Sequence, residues 1–160
     1  MSEIRAAKVI DPRTVPEDGS TLYPAPFRAL VAKRFRRRLG NAGGLANFGV
    51  NLARLAPGGQ SSARHWHTVQ DEFIYVLEGE PTLVTESGRA RLAPGMCAAF
   101  PAGVPDGHCL LNETDRDVLY LEIGDRLSGD GAHYPDIDLA AQSVDGKYRF
   151  TRKDGSPHDE

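Results

Sequence analysis

The chain predicts an all-β fold, a sandwich or barrel, and two observations carry that reading. Seventeen glycines and eleven prolines among 160 residues punctuate the chain too often for a helical bundle. Between them lie about nine short segments of alternating apolar and polar residues, evenly spaced and separated by turn formers. Apolar content of 40% and charged content of 26% are ordinary for a globular domain. No internal repeat or linker divides the chain, so one domain is expected.

Residues 1–32 carry Pro12, Pro16, Pro24 and Pro26 with little periodicity and read as an extended N-terminal arm, with a short strand near Ala6–Ile10. Lys33–Leu39 is a basic strand: Phe35 and Leu39 fall on one face, and Arg34, Arg36 and Arg38 on the other. A solvated edge strand whose charges deter pairing explains it best; an anion or phosphate patch is the sharper alternative. After a turn at Asn41–Gly44 come strands at Phe48–Leu55, Ser61–His67 and Glu72–Leu77. The last is apolar on both faces, which calls for a covering layer on each side, such as a subunit interface.

Thr82–Glu86 and Arg89–Leu92 form a hairpin around Ser87–Gly88. Met96–Phe100, His108–Leu111 and Val118–Ile123 are the next strands, with Pro101–Gly107 a tight loop. In Val118–Ile123, Leu119, Leu121 and Ile123 look like the core face, with Val118, Tyr120 and Glu122 opposite; the alternative is that Tyr120 or Glu122 reaches a pocket as an acid or base. Asp136–Ala141 can make one helical turn, Lys147–Arg152 a last edge strand, and Gly155–Glu160 a polar tail. The expected division is an arm (1–32), a barrel (33–124) and a C-terminal extension packing on it (125–160).

The formal net charge of −3 argues against a general nucleic-acid binder. No apolar run approaches a membrane span, and the first thirty residues hold no signal-like apolar core, so a cytoplasmic protein is expected. Cys97 and Cys109 make no framework and read as reduced thiols.

The chemistry concentrates in Gly59–Gly79. His65 and His67, two apart on a strand, point to one face, and a turn at Thr68–Asp71 lets Glu72 fold back toward them. Two imidazoles and a carboxylate are the donors that borderline divalent metals prefer. Trp66, between the histidines, points the other way and reads as packing.

Gly59, His65, His67, Glu72 and Gly79 also resemble the first motif of the cupin superfamily at every position. Gly95, Pro101, Gly103, His108 and Asn112 resemble its second motif. That motif departs from the family in one place. Four residues, Val104–Gly107, separate Gly103 from the histidine where the family has two. Extra residues are absorbed most easily in a loop, which favours His108 as the third histidine. Counting from Gly103 instead puts Asp106 there, or makes it a partner behind His108.

The resemblance implies a double-stranded β-helix, that is, a jelly-roll β-barrel, with the arm before it and a short C-terminal helix or strand after it. It implies a divalent metal (Fe, Mn, Ni or Zn) held by His65, His67, Glu72 and His108, with about two positions left open. The function implied is an enzyme on a small anionic or sugar-like molecule, of dioxygenase or sugar-phosphate isomerase type. A non-catalytic small-molecule-binding or sensory protein is the alternative. The catalytic residues are unknown at this stage. An isomerase would need two or more cationic side chains to clamp a phosphate, and Arg34, Arg36 and Arg38 are the obvious cluster. A homodimer is the expected assembly.

Overall fold

The computed structural model describes residues 6–158; the first five residues of the arm and the last two of the polar tail lie outside them. The strands are β1 (Arg34–Arg37), β2 (Phe48–Leu55), β3 (Trp66–His67), β4 (Glu72–Glu78), β5 (Thr82–Thr85) and β6 (Gly88–Arg91). They continue with β7 (Cys97–Phe100), β8 (Cys109–Leu111), β9 (Val118–Asp125), β10 (Gly131–His133), β11 (Ala140–Val144) and β12 (Lys147–Thr151). One five-residue helix, α1 (Leu39–Gly43), follows β1. The strands form three sheets, ordered β1-β2-β9-β4-β7, β12-β11-β10-β3 and β6-β5-β8. This is the jelly-roll architecture. No helix among the described residues is long and apolar enough to cross a membrane.

Pairing in the five-stranded sheet fixes what faces inward. Residues opposite one another in register share a face. Arg36, Ala53, Tyr120 and Val76 make one inward row, and Asn51, Glu122 and Ile74 the next. Glu72 is paired with Gly124 one row further on. Ala53, Leu55, Ile74, Val76, Leu110, Val118 and Tyr120 form the main core cluster. Tyr23, Val31, Ala63, Ala132, Tyr134, Leu139 and Ala141 form a second, which joins the arm to the C-terminal strands.

Several expectations from sequence are reversed here. On β9 the inward face is Val118, Tyr120 and Glu122, while Leu119, Leu121 and Ile123 lie outside and are only partly buried. On β1 Arg34 and Arg36 turn in, Arg38 beyond its end stays exposed, and Phe35 turns out, where the Arg54 guanidinium covers its ring at 4.3 Å. The cause is register: Arg34 and Arg36 stand opposite Leu55 and Ala53, both fully buried. Nor is β1 a bare edge, because Asp18 of the arm exchanges two backbone hydrogen bonds with Arg36, each 2.9 Å.

Ser61–Arg64 is not regular strand. Ser61 Oγ accepts the Leu110 N–H at 2.8 Å, a donor that a ladder carbonyl would otherwise take. Ala6–Ile10 forms no strand. The arm instead makes two 3-10 turns, Pro12–Thr14 and Ala25–Val31. Asp136–Ala141 forms a turn leading into β11 rather than a helix. Lys147–Thr151 is a strand, as expected, and it closes the sheet that ends at β3. Both cysteines are free thiols.

The glycine that ends the Gly59–Gly79 stretch has a specific task. Gly79 has φ 78°, and a Cβ there would lie 2.8 Å from the Asp117 carbonyl oxygen and 2.9 Å from Val118 Cγ2. A side chain meets both backbone strain and a clash. Gly79→Ala is therefore expected to lower stability by about 1–3 kcal/mol in urea unfolding. Wild-type stability in that variant would show that the turn after β4 relaxes freely.

Candidate metal centre

β3 and β4 deliver the first three donors. His67 ends β3, His65 sits one bridge before it, opposite His108, and Glu72 opens β4. Three imidazole Nε2 atoms converge on one oxygen, Glu72 Oε2: His108 at 2.9 Å, His65 at 3.3 Å and His67 at 3.5 Å. One ligand atom each from His65, His67 and Glu72 fits within 4.8 Å of the others. His108 reaches the group through the Glu72 oxygen.

The far nitrogen of each ring has its own partner. His65 Nδ1 lies 3.0 Å from the Ala63 carbonyl, and His108 Nδ1 lies 3.2 Å from the Asp106 carbonyl. His67 Nδ1 donates to Asp130 Oδ2 at 2.5 Å. A carbonyl or carboxylate only accepts, so in the neutral ring these contacts place the proton on Nδ1 and leave Nε2 as a lone pair facing the centre. Three lone pairs and a carboxylate oxygen crowded together repel one another unless a cation sits among them. The contacts of 2.9–3.5 Å match the spacing of adjacent ligands with bonds of about 2.1 Å. The donor set therefore fits a divalent metal.

The electrostatics agree. Burial opposes a charge on Glu72, but the three imidazoles outweigh it and hold its carboxyl well below the usual range. Burial likewise opposes a charge on His67, yet Glu72 and Asp130 outweigh it and raise its pKa to about 9. Metal-free, the cage draws in protons where a cation would sit.

Asp106 does not join the cage. Its carboxylate accepts the Glu86 N–H at 2.8 Å, and only its carbonyl serves His108. Phe100 lies flat on the His108 ring, centroids 3.6 Å apart, and fixes its plane. A recess of about 50 Å³ opens beside the cage, walled by Trp66, Phe100, Val104 and Asp106 among others. Trp66 stacks on His133, ring centroids 4.4 Å apart, and its edge also borders the recess, so it does more than the packing expected of it.

The cupin-domain family model matches residues 51–124. Over nearly the whole chain, the fold matches a sugar phosphate isomerase of the cupin superfamily from Silicibacter pomeroyi. The two are 43% identical, with 95% of this chain and 97% of that one covered and a TM-score of 0.91. The chain belongs to the cupin superfamily. A protein from Acidithiobacillus ferrooxidans, provisionally named a sugar phosphate isomerase, is 31% identical over 74% of this cupin and 76% of that chain, with a TM-score of 0.69. A polyketide cyclase from Streptomyces resistomycificus shares the fold at 20% identity, with 75% and 80% covered and a TM-score of 0.63. Comparison with curated proteins finds no match.

The cupin's most elaborate support for the cage lies beyond residues 51–124. Asp130 is fully buried. It accepts from His67, from the Tyr148 hydroxyl at 2.6 Å, and from the Val69 and Gln70 amides at 2.9 and 3.1 Å. Burial opposes its charge, but these donors outweigh burial and lower its pKa. Nothing in the sequence marked Asp130 or Tyr148, which lie far from His67 along the chain. A carboxylate behind a ligating imidazole orients the ring and raises its basicity. Asp130→Asn is expected to keep the fold and weaken Zn²⁺ or Mn²⁺ binding about 10–100-fold in calorimetric titration of the stripped protein. Unchanged affinity would show that His67 needs no such support.

Proposed function

We propose that this cupin is a metal-dependent isomerase of small phosphorylated sugars, with His65, His67, Glu72 and His108 as the metal ligands. The observation that carries the reading is the inner wall of the five-stranded sheet. There an ionisable group, Glu122, faces inward one row from Glu72, beside two arginines. A pocket lined only by apolar groups would favour a binding protein without catalysis. The 43% identity to a sugar phosphate isomerase over nearly the full length supports the substrate class.

A divalent ion in the cage would polarise a substrate carbonyl or enediol oxygen. The remaining work falls to the chain. Glu122 is oriented by Arg36, whose Nε lies 2.6 Å from Oε1, and by Asn51 Nδ2, which donates to Oε1 at 2.8 Å. We assign Glu122 the proton transfer between carbons: it takes a proton from the hydroxyl-bearing carbon and returns it to the carbonyl carbon, while the hydroxyl proton passes to the former carbonyl oxygen. Trp66, Phe100 and Val104 wall the recess and limit water beside the reacting carbons.

The opposite face of the same sheet supports a homodimer. Val50, Leu52, Phe73, Tyr75, Leu121 and Ile123 point outward together, and Tyr75 and Leu77 remain 38% and 40% exposed. An apolar sheet face of this kind favours a second copy of the chain over water. Light scattering at micromolar concentration should give twice the chain mass; a monomer would remove the dimer from the reading.

Two measurements test the chemistry. Metal content by elemental analysis should fall sharply in His65→Ala and His108→Ala, and wild-type content in both would discard the cage. Glu122→Gln should retain metal while losing about 10²–10⁴-fold in kcat on five- and six-carbon aldose phosphates. Full activity in that variant would exclude Glu122 as the proton carrier.

A further inference from the structure

The basic strand splits into two kinds of arginine. Arg38 lies toward solvent and pairs with Asp18 at 3.1 Å. Arg36 is matched to Glu122, as described. Arg34 is different. Its side chain is turned into the barrel and only 6% of the residue is exposed. It donates one hydrogen bond, from Nη1 to the Ser61 carbonyl at 2.5 Å. Among the described residues no carboxylate forms an ion pair with it. Two guanidiniums and one carboxylate leave the cluster with a net positive charge, with Arg34 buried and Arg36 and Glu122 partly so.

Beside it is a second unmet need. Tyr120, 1% exposed, carries a hydroxyl with no hydrogen-bond partner. It lies within electrostatic reach of Arg34, Arg36 and Glu122. Tyr23 of the arm closes the same region and feels both arginines. Burial and the neighbouring Arg36 together lower the pKa of Arg34, which reflects a cation short of an anion. A buried guanidinium without a counter-charge and a buried hydroxyl without a partner are each costly. One bound oxyanion would satisfy both.

We infer that Arg34, Arg36 and the Tyr120 hydroxyl form an oxyanion subsite inside the barrel, which holds the phosphate or carboxylate end of the substrate while its other end reaches the cage. The identity of that substrate rests on the isomerase reading; capture of the anion does not. The spacing fits. Tyr120 lies four residues along β9 from Gly124, the partner of Glu72, which is about 13 Å at ~3.3 Å per residue. Side chains reach inward from both ends of that interval, and an extended sugar phosphate spans what is left. Guanidinium pairs recognise tetrahedral and planar oxyanions alike, so a phosphate ester and a sugar-acid carboxylate share this chemistry.

The test uses the full chain, metal-stripped and metal-loaded, titrated calorimetrically with inorganic phosphate and with malonate at constant ionic strength, and melted with and without each. Phosphate or malonate should bind once per chain and raise the melting temperature, the tighter of the two identifying the end group. Arg34→Met should weaken that binding at least tenfold and Tyr120→Phe at least threefold. His65→Ala should still bind the anion, so the subsite can stand even if the isomerase reading falls. Without ligand, Tyr120→Phe should melt at or above the wild-type temperature, because it removes a hydroxyl that has no partner. Should Arg34→Met fail to fold, Tyr120→Phe decides alone. The subsite is overturned if neither anion binds the wild type, if the variants bind as well as it does, or if Tyr120→Phe melts lower in the absence of ligand.

Discussion

Glu72 Oε2 is the point on which the rest of the molecule depends. Three imidazole nitrogens face it at 2.9–3.5 Å. With neutral rings that arrangement is unfavourable, because lone pairs point at lone pairs, and without a metal the site draws in protons instead. It holds because each ring is fixed from behind, by a carbonyl, a carboxylate or a stacked phenyl ring, so no imidazole can swing away. Rigid support is what lets a protein keep donors at ligand spacing before any ion arrives. The barrel supplies the rigidity: β4 sits between β7 and β9, and His65 and His108 are held by mutual backbone hydrogen bonds of 3.2 and 3.0 Å.

The C-terminal strands belong to that support. β10 pairs with β3, so Ala132 lies beside His67 and Asp130 comes up behind its ring. A buried carboxylate that loses its partners costs about 3–5 kcal/mol. Asp130 avoids this with donors from three directions: the imidazole, the Tyr148 hydroxyl and two amides of the β3–β4 turn. The same carboxylate therefore ties the turn, the ligand and β12 together. Residues 125–160 therefore help to hold His67 in place, although the family match ends before them.

Much of this was legible in the sequence, and the pattern of misses has one physical source. Alternation along a strand says which side chains share a face but not which face is inside. His65, His67 and Glu72 could be read because their chemistry only makes sense when they converge. Tyr120 with Glu122, and Arg34 with Arg36, were assigned to the correct shared face but to the wrong side. Polarity suggested solvent for them, while register against Ala53, Leu55 and Val76 turned them in. The short β3 was misjudged because Ser61 uses its side chain where a strand uses backbone. Asp130 and Tyr148 were invisible because their contact with His67 spans about half the chain, and no local pattern encodes it.

That reversal changes the character of the barrel. A fold that only needed stability would fill the inward rows of β1, β2 and β9 with aliphatic groups, as it does at Ala53, Leu55 and Val118. Instead the rows toward the cage hold Asn51, Arg36, Glu122 and Tyr120, whose desolvation is only partly offset by one ion pair and one amide contact. Buried polar groups left short of partners reduce stability and persist where a ligand completes them. Each of these rows mixes the two kinds: Arg36 and Tyr120 stand with Ala53 and Val76, and Asn51 and Glu122 with Ile74. The unmet groups lie on that inner wall and not elsewhere in the main core cluster, and that concentration is what the proposed oxyanion subsite accounts for.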